Sequence, residues 1–176
     1  MNRKLPALAV AAVALFAAAL PLVAQRGDDS KRKSKNGLAE GTAGGAAVVV
    51  EYGRPKVGGR AIWGALVPYG KIWRTGADEA TTIRFDRDVL VEGQKLAAGT
   101  YALFTIPSEG KWTVIFNRTA EQWGAYDYKE SDDVLRVEVA PRAHEHVEEL
   151  EFAVAGDAVL LRWAELEVPI AVRAAG

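Results

Sequence analysis

From residue 46 onward, apolar and polar positions follow one another in short runs with a period of two, broken by turn residues roughly every eight to twelve positions, as in a sandwich or barrel. Residues 48–52, 81–85 and 89–91 form the first runs, and Glu92-Gly93 turns the third back through 94–96 as a hairpin. Residues 100–106 are apolar on both faces, Tyr101 and Leu103 on one and Ala102, Phe104 and Ile106 on the other, which predicts a central strand covered twice. The Ser108-Glu109-Gly110 turn leads to 112–117, where Trp112, Val114 and Phe116 share a face. Residues 134–139 alternate cleanly, with Leu135, Val137 and Val139 inward. Residues 147–154 group Leu150, Phe152 and Val154, and Gly156-Asp157 joins them as a hairpin to 158–163. Pro169 restricts the last strand, 168–172, to an edge. The single helical candidate is one turn at 119–123.

The pattern predicts an all-β chain: an antiparallel, jelly-roll-like β-sandwich of about eight strands over residues 46–176, large enough to fold on its own core. No internal repeat is visible.

Ahead of this domain the texture differs. Arg3 and Lys4 precede a run of Ala, Val, Leu and Phe that extends to Ala24 without a charge, the layout of a secretory signal peptide. Leu22 stands where a signal peptidase prefers a small residue, so a retained membrane anchor over residues 5–24 is the alternative; positive charges beyond the run, at Arg26, Lys31, Arg32, Lys33 and Lys35, argue against simple insertion. Either reading predicts export to the periplasm or cell envelope. Residues 25–45 contain one Leu and five Gly, and are expected to be a flexible linker.

The formal charge is −1, and losing residues 1–24 removes two cations and no acid, lowering it to −3. Nucleic acid is therefore not an expected partner. The chain has no cysteine, which excludes disulfides, thiolate metal sites and a lipidated cysteine.

Three stretches carry a resemblance: VEYGRPKVGGRAIWGALVPYGKIWRTGADEATTIRF, LAAGTYALFTIPSEGKWTVIFN and QWGAYDYKESDDVLRV. Together they resemble the DUF2911 family of exported bacterial proteins of unknown function, closely from residue 50 to about 139 and loosely beyond. The resemblance implies an extracytoplasmic β-rich domain and no assigned reaction.

The densest polar cluster runs from Trp73 to Thr82, with Arg74, Thr75, Asp78, Glu79 and Thr81 as candidate binding residues. Arg74 there is suited to grip an anion, and a carboxylate to act as base or ligand; the same residues also suit a turn fixed by side-chain to backbone bonds. In an extended or tightly turned segment, Asp78 and Glu79 point to opposite sides, so that only one faces a given pocket.

A second candidate is the loop carrying Trp123, Tyr126 and Tyr128, whose rings beside Asp127 and Glu130 would stack on sugar faces, with Trp63 and Trp73 able to join them or to serve as core. The stretch from Gly64 to Lys71 fails as a phosphate loop, having five residues between its glycines and Ile72 where a hydroxyl belongs. His144 and His146 would share a strand face, half of a metal site, yet a solvated turn after Pro141 accounts for them and no metal or other cofactor is expected.

Familiar hydrolase signatures are missing. The best-supported expectation is a non-catalytic envelope or periplasmic module that binds a small molecule, a glycan or an envelope protein. A hydrolase or lyase using Asp78 or Glu79 with Arg74, and a structural envelope subunit, are the alternatives.

Overall fold

The computed structural model describes residues 26–176. The segment read as signal peptide or anchor, residues 1–24, lies outside them. Among the described residues no helix is long and apolar enough to cross a membrane.

Ten strands follow one another: β1 (Lys35–Ala43), β2 (Ala46–Arg54), β3 (Thr81–Phe85), β4 (Val89–Val91), β5 (Gln94–Leu96), β6 (Gly99–Ile106), β7 (Trp112–Asn117), β8 (Asp133–Val139), β9 (Arg142–Ala155) and β10 (Ala158–Ala174). They form two antiparallel sheets, β1-β2-β3-β6-β7-β8 and β5-β4-β10-β9. The inner faces meet in one core: Val50, Ile83, Leu103 and Phe116 of the larger sheet belong with Val91, Leu150, Leu161 and Ile170 of the smaller. As the two-sided apolar pattern of β6 predicts, its other face is covered as well. Ala102 and Phe104 join Ala80 and Ile115 there, under Ile72, Ala125 and Tyr128 from two loops. Those loops carry the candidate residues.

Several hairpins follow from local chemistry. Glu92 and Gly93 both take positive φ, 48° and 80°, the twist a two-residue hairpin requires between Val91 and Gln94. Gly53 in β2 lies against the loop that follows Trp73, where a Cβ would overlap the Ala77 carbonyl oxygen.

Three expectations need correction. The flexible linker predicted over 25–45 is ordered from residue 26 onward: β1 pairs with β2 from Lys35↔Arg54 to Ala43↔Ala46. Its low apolar content misled because one buried face suffices; Ala39 and Ala43 supply it and backbone bonds supply the rest. The last two predicted strands are one, β10, which lies between β4 and β9 rather than at an edge. Pro169 is tolerated because it falls between the two ladders, β9 pairing with β10 up to Glu167 and β4 from Val172. Residues 119–123 form no helix, and the one helical turn among the described residues is a 3₁₀ turn at Glu130–Asp132.

Candidate functional site

The cluster from Trp73 to Thr82 is an excursion at the end of the larger sheet. Trp73 bridges Thr105 of β6, its N–H donating to Thr105 O at 2.8 Å and its carbonyl accepting at 2.9 Å. The chain then loops away and rejoins the sheet at Thr81, opposite Leu103. Two non-glycine residues in the loop, Thr75 and Asp78, hold positive φ of 54° and 61°, uncommon for any side chain and strained for a β-branched one. Thr75 is held there by buried contacts. Its Oγ1 donates to Trp73 O and meets Thr105 Oγ1, both at 3.2 Å, while Thr81 Oγ1 donates to Thr75 O at 2.8 Å. Both threonines are fully buried, so they shape the loop and do not contact solvent.

Asp78 and Glu79 fall on opposite sides, as the backbone alternation predicts. Asp78 lines a cleft of about 690 Å³ with Arg74, Trp73, Trp163, Lys33, Lys56 and Arg60. That volume is within the range of small-molecule sites. Four cations and one carboxylate face it. Lys56 pairs with Glu149 at 3.2 Å and Arg60 bonds to the Val57 and Lys56 carbonyls, so both are held in place. Arg74 differs: its Nε is sealed from solvent with no hydrogen-bond partner, and no carboxylate among the described residues is within ion-pair range of its guanidinium. Trp163, 2% exposed, presents a second buried donor without an acceptor, Nε1.

Beneath the cleft lie four tryptophans. Trp63 meets Trp112 at 4.8 Å and Trp163 at 5.7 Å between ring centroids, both edge-on, and Trp73 stacks on Trp163 at 5.9 Å with 19° between planes. Trp63 and Trp73 therefore belong to the core and do not join the aromatic loop.

Glu79 serves a different purpose. Residues 26–34, ahead of β1, fold back onto the domain and dock on it. Arg32 grips Glu79 with two bonds, Nη1 to Oε2 at 2.5 Å and Nη2 to Oε1 at 2.8 Å. Arg26, its side chain 7% exposed, donates to Glu79 Oε2 at 3.0 Å and to the carbonyls of Ala77, Glu79 and Ala80. Burial raises the Glu79 carboxyl, but the bonds from Arg32 and the charges of both arginines outweigh it and hold the group below its ordinary value. The basic run is thus a docked strap, and it delivers Lys33 and Ser34 to the rim of the cleft.

The 120–128 loop pairs with this region through a Glu79↔Trp123 bridge, with Ala80 N–H donating to Gln122 O at 2.9 Å. Trp123 is 54% exposed, and Arg32 sits 5.8 Å from its ring centroid. Tyr126 is 85% exposed and does not line the cleft. Tyr128 is structural: it packs edge-on against Phe104 at 5.0 Å, donates to Asp133 Oδ2 at 2.7 Å and accepts from Arg136. Burial, with the Asp133 bond, pushes its hydroxyl up to about 12.

The histidines lie in β9 rather than a turn; His146 meets Glu165 at 2.9 Å and Glu148 at 3.3 Å. Among the described residues no three His, Asp or Glu side chains converge as metal ligands. The 64–71 stretch is a turn, Gly64 N–H donating to Val67 O.

The family model for a protein of unknown function, DUF2911, matches residues 34–172. The chain belongs to the DUF2911 family. No curated protein and no solved structure matches it. The DUF2911 span is longer than the resemblance in the three sequence stretches, and takes in β1 and nearly all of β10. It includes Arg74, Asp78, Glu79 and Trp123 but stops short of Arg26, Arg32 and Lys33. Sequence reasoning missed those three because charged residues in a Gly- and Ser-rich stretch read as solvated. It missed Lys56, Arg60 and Trp163 because nothing in their spacing brings them to Arg74.

Proposed function

We propose that this DUF2911 protein is an exported, non-catalytic binding module of the periplasm or envelope, and that it captures a small anionic ligand in the cleft over Trp73 and Trp163. The observation that carries this reading is Arg74, a guanidinium with a sealed, unpartnered Nε at the edge of a cleft whose charged lining is four cations to one carboxylate. A buried donor without an acceptor costs about 1–3 kcal/mol, and a shift of the guanidinium onto an oxyanion bound in the cleft recovers that loss. The strained φ of Thr75 and Asp78 beside it fits a loop shaped for binding. Export rests on the charged start and apolar run of residues 3–24. A hydrolase or lyase has less support, since Glu79 is gripped by two arginines outside the cleft and Asp78 is left as its single carboxylate beside Arg74.

The test is a thermal-shift titration of the full chain in mild detergent with phosphate, sulfate, citrate and sugar phosphates, beside Arg74→Ala. A ligand at one hundred times its Kd should add about 2.7 kcal/mol to the wild type and nothing to the variant. If none of these anions stabilises the wild type, or Arg74→Ala responds equally, the reading fails.

A further inference from the structure

A second recess, about 380 Å³, opens on the other side of the Asp78–Glu79 turn and is walled by Glu51, Glu121, Gln122, Trp123 and Arg26. Its polar atoms are unevenly matched. Gln122 is 8% exposed, and its Nε2 donates to Asn117 Oδ1 at 3.1 Å and Thr119 O at 2.6 Å. Asn117 Oδ1 also accepts from Thr119 N–H, while Asn117 Nδ2 donates to Asp133, so the orientation of both amides is fixed. Gln122 Oε1 is left as a buried acceptor with no donor. The Glu51 and Glu121 carboxylates add further acceptors. Arg26 directs its donors to Asn36 of β1, to the Glu79 carboxylate and to the 77–80 backbone. The recess therefore asks for a ligand that donates.

Charge narrows the class. Three carboxylates, of Glu51, Glu79 and Glu121, oppose an anion. A cation would meet Arg26 in the wall and Arg32 beside the Trp123 ring. A neutral ring bearing several O–H donors and an apolar face conflicts with neither, and Trp123 offers an exposed aromatic surface for that face. We propose that this recess is a neutral-saccharide subsite in which Trp123 stacks against a sugar ring while Gln122 Oε1, Glu51 and Glu121 accept its hydroxyls. It stands independently of the anion cleft, with which it shares no lining residue.

The test is calorimetric titration of the full chain with neutral trisaccharides of glucose, galactose and N-acetylglucosamine, and with putrescine as a cationic probe. Trp123→Ala, Glu121→Gln and Arg74→Ala are run alongside, and thermal midpoints confirm folding. At least one trisaccharide should bind saturably, weakened at least about tenfold by Trp123→Ala and several-fold by Glu121→Gln, as expected when a stacking anchor or an acceptor is lost. Arg74→Ala should leave this binding unchanged, so failure here is separable from failure of the anion site. No saturable binding of any trisaccharide, undiminished binding to Trp123→Ala, or tighter binding of putrescine overturns the proposal.

Discussion

Arg32 and Glu79, forty-seven residues apart, form a two-point pair that closes residues 26–34 onto the loop ahead of β3. Because Lys33 and Ser34 line the anion cleft while Arg26 and Gly27 line the second recess, one carboxylate fixes a wall of each.

Replacing that carboxylate should therefore release the strap. Glu79→Gln removes the counter-charge that holds Arg26 in its docked position and should cost about 1–2 kcal/mol at pH 7, the partial exposure of Glu79 holding it below the value for a fully buried pair. The carboxyl lies below its ordinary 4.5 in the folded chain, so its contribution is present above that value and is lost as pH falls through and below it. Urea unfolding at pH 7 and pH 4 should show the wild type losing more stability on acidification than Glu79→Gln. Equal losses would mean that the pair does not contribute.

Arg74 should behave in the opposite sense. Its sealed Nε has no partner, so Arg74→Met keeps the apolar stem, removes an unsatisfied donor and should raise stability by about 1 kcal/mol while abolishing anion binding. A fall in the unfolding midpoint would show that Arg74 is held by a contact important to the fold.

Trp63 touches three other tryptophans, with centroid separations of 4.8, 5.7 and 5.9 Å. Trp63→Ala should cost about 3–5 kcal/mol and reduce the near-ultraviolet dichroism of the whole cluster, as large-to-small changes among packed rings do. A loss below 1 kcal/mol would place the core elsewhere.

Glu167, 2% exposed, is bonded by Arg142 and by Arg162 Nε at 2.6 Å where β10 shifts register against β9. Burial pushes its carboxyl up, and the two arginines bring it below the ordinary value. Glu167→Gln should cost about 1–3 kcal/mol at pH 7, moderated because Arg142 is mostly exposed, and should leave ligand binding intact. Stability from this group is likewise present above its unfolded value and lost as pH falls.

The sheet was legible because its signals are local. Alternation in 134–139, the two-sided apolar run of β6 and the Glu92-Gly93 turn need only neighbouring residues to be read. β1 was not legible: its nine residues bury two alanines and depend on β2, which no propensity reveals. The site was half legible. A cation and two carboxylates near Trp73 mark a polar loop, and the alternation separates Asp78 from Glu79. What surrounds Arg74 comes from residues 33, 56, 60 and 163, brought together by the closure of the sheets and the docking of the strap.

The docking of Arg26 also fixes where a mechanical load would enter the domain. Tension applied through residue 26 is shared between the Asn36 side chain of β1 and the carbonyls of Ala77, Glu79 and Ala80, which pass it to Thr81, where β3 begins between β2 and β6. The hairpin of β1 and β2 therefore takes only part of the load. The strap is thereby a strain relief, passing part of a pull on the N-terminal side to the interior of the larger sheet and relieving its edge.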